Sequence, residues 1–262
     1  MTDFKVNGLI IKEAEYGDND KLLTILTEKY GKLFVIGKGV KSLKNRHMAC
    51  TQLFSYASFN FRKRGQMYYI TDSDLIENYY DIRNDILKLS LAAFICDVLC
   101  EVSREGVDES DILRLGLNTF YAIAKNVKPL EIIRAAFELR VATECGFMPD
   151  LTECRECGCK DPIYASVDIM NGNFICNECQ SKASFNIVID SFYETNVQRP
   201  VSIVSNSVLH AMRYVCYSKS ERFLSFKLDE SEQNLFFQVC EKFLLNHLER
   251  GFYSLEFYKS ML

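Results

Sequence analysis

Residues 21–37 read KLLTILTEKYGKLFVIG, and this stretch decides the architecture of the first third of the chain. Two short runs rich in Leu, Ile, Thr, Val and Phe flank Tyr30-Gly31-Lys32, where the glycine supplies the backbone freedom of a tight hairpin. Working outward, NGLIIK at 7–12 precedes the pair, while FSYASFNF at 54–61 and MYYITDS at 67–73 follow it. Lys63-Arg64-Gly65-Gln66 joins the last two as a second hairpin. Five such strands, with a longer irregular connection after the third, fit a small Greek-key barrel of the OB type; an SH3-like barrel shares the pattern.

From about Asp81 the period changes. Apolar residues from Ile82 to Leu99 cover too much of a helical wheel for one exposed face, so this segment reads as a largely buried helix. Asp111–Ala124 and Pro129–Cys145 read as further amphipathic helices, the second opened by Pro129 and closed by Gly146 and Pro149. Helical character returns at 205–218, 230–248 and 253–261, while Phe185–Pro200 reads as strand, loop or module edge. The fold class is thus α+β: an OB-type barrel at 1–80, then one helical domain at 81–149 and 187–262, interrupted by a small module at 150–186.

The module carries the clearest chemistry. Cys154-Arg-Glu-Cys157 is followed, eighteen residues later, by Cys176-Asn-Glu-Cys179. Each CxxC turn brings two thiolates to one ion, and two turns complete a tetrahedron, so Cys154, Cys157, Cys176 and Cys179 are expected to hold a structural Zn²⁺. Four thiolates leave no open position for a catalytic water. Cys159 is a fifth thiol of the cluster, and the other six cysteines, scattered through apolar segments, read as small core residues. The first twenty residues have no secretory pattern, and the apolar run at 89–99 is short and broken by Asp97. The expectation is a cytoplasmic protein without disulfides or a membrane partner.

Enzymatic signatures are scarce. His47, His210 and His247 form no HExxH or deaminase frame, and no GxSxG elbow occurs. Gly31 to Gly39 superficially resembles a phosphate loop, but five residues separate Gly31 and Gly37, and Gly39 stands where a hydroxyl would bind Mg²⁺. Acid pairs such as Asp18/Asp20 and Asp72/Asp74 leave a metal-dependent nuclease as one alternative.

The chain has a formal net charge of −4, yet between Lys29 and Arg64 there are nine basic residues and no acid. Lys32, Lys38, Lys41, Lys44, Arg46, Arg62, Lys63 and Arg64 lie among Phe34, Tyr56, Tyr68, Tyr69 and other aromatics. Cations that attract phosphates beside aromatics that stack on bases are what single-strand binding requires. These eight residues are therefore the expected DNA-binding set, although alternating aromatics in a small barrel are mostly core. A zinc-ribbon adaptor that never touches nucleic acid is the other alternative.

The chain also resembles a known family. GDNDKLLTILTEKYGKL at 17–33, GKGVKS at 37–42 and, above all, FELRVATECGFMPDLTECRECG at 137–158 are similar in content and order to the bacterial recombination mediator RecO. The resemblance implies a non-enzymatic protein that binds single- and double-stranded DNA and anneals complementary strands. It implies action with RecR to load RecA onto DNA coated by single-stranded DNA-binding protein, at the nucleoid. The family's basic loop after the third strand corresponds to Lys38, Lys41, Lys44 and Arg46; relatives often carry paired arginines where this chain has Val40-Lys41. The family also engages the acidic, apolar tail of single-stranded DNA-binding protein on its helical domain. Arg134 and Arg140 are candidates by chemistry for that contact, or else ion-pair partners of Glu131, Glu138 and Glu144.

Overall fold

The computed structural model describes residues 3–187 and 201–262. Five strands, β1 (Asp3–Tyr16), β2 (Asp20–Thr27), β3 (Gly31–Gly37), β4 (Tyr56–Arg64) and β5 (Met67–Glu77), close a barrel in the order β1-β2-β3-β5-β4. Strand β1 is long because it serves both halves, pairing with β2 along its second part and with β4 along its first. Closure comes from a short parallel contact, Val35 beside Tyr68 and Ile36 beside Tyr69. This connectivity is that of the OB barrel and resolves the choice left open by the strand pattern.

Beyond the barrel the order is α1 (Tyr80–Arg83), α2 (Ile86–Val102), α3 (Ser110–Lys125), α4 (Leu130–Glu144), β6 (Tyr164–Asp168), β7 (Asn173–Cys176), α5 (Asn177–Ile187), β8 (Val201–Ser205), α6 (Asn206–Tyr217), α7 (Glu230–Leu248) and α8 (Tyr253–Lys259). The stretch expected at Phe185–Pro200 lies, from residue 188 on, outside the described residues. Among the described residues no helix is long and apolar enough to cross a membrane.

These elements divide into two units, 1–130 with 252–262, and 131–251. The division differs from the single helical domain read from sequence, because α1–α3 and α8 group with the barrel. The reason is local: Lys32 Nζ donates to the Cys100 carbonyl of α2 at 2.7 Å, and Lys32 N–H donates to Arg104 O at 2.8 Å. The hairpin glycine makes room for that approach. Gly31 has φ +59°, and a Cβ there would lie 2.0 Å from the Arg104 carbonyl oxygen. Only glycine satisfies both conditions.

The barrel core is filled by Ile10, Leu23, Ile25, Val35, Phe59 and Phe61 with their neighbours. Leu9, Ile10 and Ile11 are buried in succession, since the register with β2 shifts between Ile10 and Lys12 and the strand bends there.

The second unit surrounds α4, in which every residue from Ile132 to Ala142 is buried. The amphipathic reading of this helix is therefore corrected: it is a central helix. A three-stranded antiparallel sheet, β7-β6-β8, accompanies it. Strand β8 ends at Ser205, whose Oγ accepts from Val208 N at 3.3 Å and so caps α6.

A cationic barrel face and a four-cysteine centre

The loop after β3 is held in place by its own sequence. Gly39, at φ +65°, donates its N–H to Asp20 Oδ1 at 2.8 Å, and Asn45 Nδ2 donates to Lys38 O at 3.1 Å. Val40 is buried and fills the space that a Cβ on Gly37 would need. The glycines therefore serve close packing and a left-handed turn, not a loose loop. The chain then runs through turns into a single 3-10 turn at Ala49–Thr51, so no helix follows the glycines as a phosphate loop requires.

Two stretches of cations that are far apart in sequence converge on one ring. Lys38 Nζ from the loop lies 5.4 Å from the centroid of Tyr69, and the Arg64 guanidinium carbon from the β4–β5 hairpin lies 5.8 Å from it. Lys63 lies 5.2 Å from the Tyr68 ring. The convergence follows from register: Ile36 and Arg62 are the two strand neighbours of Tyr69. Tyr69 is half-buried, so its exposed portion and these cations form one aromatic and basic surface.

The eight predicted cations separate into two groups. Lys38, Lys44, Lys63 and Arg64 are exposed and pair with no carboxylate among the described residues. The other four are already engaged. Lys32 is bound to the Cys100 carbonyl, Lys41 pairs with Glu15 at 3.4 Å, Arg46 with Asp72 at 3.1 Å, and Arg62 with Asp3 through two bonds of 3.0 and 2.9 Å. The acid-free interval of the sequence is thus not acid-free in space. Exposed pairs of this kind are worth about 0–1 kcal/mol, so a phosphate can compete for them. Burial and the adjacent Arg46 push the His47 imidazole below its ordinary value, and it bonds Ser73 Oγ at 2.8 Å instead of serving as a cation. Of the aromatics, Phe54, Phe59 and Phe61 are core, whereas Phe34, Tyr68 and Tyr69 keep exposed surface. Asp20 and Asp72, from the acid pairs, are committed to Gly39 N–H and Arg46 respectively.

The helix α4 arginines behave differently, and the expected partner-binding role is corrected. Arg134 is 2% exposed and bonds Glu138 Oε1 at 2.6 Å, Glu241 at 3.0 Å and Glu131 at 3.1 and 3.2 Å. Burial opposes its charge, but these carboxylates outweigh burial and raise its pKa. Glu138, fully buried and flanked by two further acids, is pushed up to about 8 by burial despite Arg134. Its second oxygen, Oε2, has no hydrogen-bond partner among the described residues. Arg140 donates to the carbonyls of Val215, Cys216 and Ser218 at 2.9, 3.2 and 2.6 Å, and to Glu144 at 2.7 Å. It closes the C-terminal end of α6, where carbonyls lack helical partners. Neither guanidinium is free for an acidic tail.

In the second unit the sulfur atoms of Cys154, Cys157, Cys176 and Cys179 all lie within 4.8 Å of one another and can hold a metal ion. No other group of three or more His, Cys, Asp or Glu side chains has this geometry among the described residues. Each knuckle contributes one buried thiol, Cys154 or Cys176, and one more exposed, Cys157 or Cys179. The first turn uses Gly158 at φ +73°, whose N–H donates to Cys154 O at 2.8 Å. The second needs no glycine, because Cys176 ends β7 and Cys179 lies in the first turn of α5, with Gln180 helical and bonded to Ser166 Oγ. Burial raises the Cys154 thiol, but N–H groups of Cys176, Glu156 and Cys157 outweigh it and hold it at about 6. A hydrogen bond with Cys157 pushes Cys179 up to about 12. Cys154 and Cys179 are thus shifted in opposite directions, and a bound dication is what turns coordinating thiols into thiolates. Cys159 stands outside the group and accepts at its carbonyl from Cys154 N–H at 2.8 Å.

Sequence reasoning missed the clamp beneath this module. Arg213 on α6 donates to Leu151 O at 2.6 Å and Lys160 O at 2.5 Å, and Tyr217 one turn on donates to Pro149 O at 2.9 Å. The Arg213–Tyr217 spacing of four was the available signal, but nothing in it says which loop the pair would hold.

An OB-type barrel with a basic aromatic face, followed by helices around a four-cysteine module, defines the class of protein. Residues 1–79 match the family described as Recombination protein O N terminal, and residues 83–192 match Recombination protein O C terminal. The chain is 30% identical over 264 residues to a DNA repair protein RecO from Acetivibrio thermocellus, covering 100% of this chain and 98% of that one. It is 28% identical over 258 residues to the RecO of Alkaliphilus metalliredigens, covering 98% and 99%. The chain belongs to the RecO family of DNA repair and recombination proteins.

Proposed function

We propose that this protein is a recombination mediator that binds single- and double-stranded DNA, anneals complementary strands, and catalyses no bond cleavage. The observation that carries the reading is the convergence of Lys38 and Arg64 on Tyr69, with Lys63 over the neighbouring Tyr68 ring and Lys44 exposed on the loop after β3. In this reading the ammonium and guanidinium groups neutralise phosphates of a strand lying across β3, β5 and the β4–β5 hairpin. Tyr69 and Phe34 offer faces to bases. Neutralising backbone charge removes the repulsion between two approaching strands, which is how a binding surface without chemistry accelerates pairing.

Zn²⁺ fits the four-thiolate site, and when bound it supplies a structural cross-link between the two knuckles with no open position for water. Membership of the RecO family supports action with RecR in loading RecA onto DNA covered by single-stranded DNA-binding protein, in the cytoplasm at the nucleoid. The acidic tail of that protein would then find its cations elsewhere than on α4.

The test is annealing of two complementary oligonucleotides, bare or coated with single-stranded DNA-binding protein, followed by fluorescence quenching. Acceleration without nucleotide hydrolysis is expected. A folded protein that neither binds nor anneals would leave the adaptor reading, and Mg²⁺-dependent shortening of the strands would favour the nuclease.

A further inference from the structure

Leu43 is 87% exposed, and among large apolar side chains of the described residues only Tyr253 equals it. It stands alone in the polar run Lys41-Ser42-Leu43-Lys44-Asn45-Arg46. It does not stand there through disorder of the backbone. Ser42 and Asn45 close a turn, Asn45 N–H donating to Ser42 O at 2.9 Å, and Leu43 and Lys44 are its two central residues. The turn is fixed from below by Ser42 N–H to Gly39 O at 3.1 Å, by Asn45 Nδ2 to Lys38 O, and by buried Val40. None of these ties uses the Leu43 side chain. The result is a preformed geometry: an apolar side chain at an apex, followed by Lys44, whose ammonium pairs with no carboxylate among the described residues.

We propose that Leu43 is a wedge that inserts between neighbouring bases of a bound DNA strand while Lys44 holds the adjoining phosphate. The inference rests on the DNA-binding reading above and names the residue that acts on the bases. Occupancy by nucleic acid, not by an apolar protein surface, follows from the charge around the apex: Lys38 and Lys44 are exposed and pair with no carboxylate among the described residues, and Lys41 and Arg46 are only loosely paired. Leu is among the side chains that DNA-binding proteins insert between base steps to unstack them. Because the turn is already formed, binding does not have to order it.

The experiment uses the full chain and a single-stranded oligonucleotide carrying 2-aminopurine between two adenines, whose fluorescence rises on unstacking. Wild type should raise the signal on saturation. Leu43→Ser, which removes no internal contact, should bind with the same salt slope, with affinity lower by roughly fivefold, and with the fluorescence rise cut by more than half. Leu43→Met should restore it. A Leu43→Ser protein with the full rise, or a wild type that binds with no rise at all, overturns the wedge while leaving DNA binding intact. Absence of any binding by wild type overturns the DNA-binding reading and the wedge together.

Discussion

Cations at the barrel surface and cations in α4 look alike in sequence and do opposite things. Lys38, Lys44, Lys63 and Arg64 sit on strand ends and turns, where the backbone is satisfied without them and their charge faces water. Arg134 and Arg140 sit on a helix buried over eleven successive positions, and their guanidiniums are consumed by carboxylates and carbonyls. A basic residue is available for a ligand only where the fold does not need it. Acids at i−3 and i+4, such as Glu131 and Glu138 around Arg134, mark the second situation; glycine turns mark the first.

The comparison can be broken at several points. The largest effect is expected in the second unit on loss of its metal, since four-thiolate zinc sites contribute on the order of 10 kcal/mol to small folds. Protein purified without chelator should hold about one zinc ion per chain by elemental analysis. A strong chelator, or Cys176→Ser, should open the segment around 150–187 to limited proteolysis while a barrel fragment persists. A metal-free protein with an unchanged digestion pattern would contradict this.

Next comes Arg134→Ala, which removes the cation shared by Glu131, Glu138 and Glu241 and should cost about 3–5 kcal/mol by urea unfolding. DNA affinity of the protein that remains folded should not change. Glu138 then gives a pH signature. Its folded pKa lies above the ordinary carboxyl value, so the folded protein holds a proton that the unfolded chain releases. That contribution is complete below about pH 4 and is lost as pH rises towards 8, so stability should fall by on the order of 2 kcal/mol between pH 5 and 8. Glu138→Gln should flatten the slope; a wild type whose stability rises over this window would refute the assignment.

A smaller effect sharpens the contrast inside the barrel itself. Lys32→Ala should cost roughly 1 kcal/mol, because its ammonium holds the end of α2. Its DNA affinity and salt dependence should match wild type, although Lys32 lies in the same basic interval as the exposed four.

Much of this was legible beforehand. Alternation and hairpin glycines revealed the five strands, and the two CxxC turns revealed the four-cysteine cluster, because both are local patterns. The ends of β1 were not, since they are polar and exist only through pairing with β2 and β4. Strand β8 depends on pairing with β6, more than thirty residues away, which no local pattern shows. The charge of the 29–64 interval was legible, but its partners Glu15, Asp72 and Asp3 lie outside the interval and meet it only in the folded barrel. The separation into free and engaged cations therefore required the fold.

The central claim is that the exposed four cations are the phosphate contacts. Its most direct test is single-strand affinity measured from low to moderate salt for wild type and for Lys38/Lys44/Lys63/Arg64→Ala. Loss of four phosphate contacts predicts a log–log slope shallower by roughly 3, with unfolding stability unchanged. An identical slope in the two proteins would contradict the account.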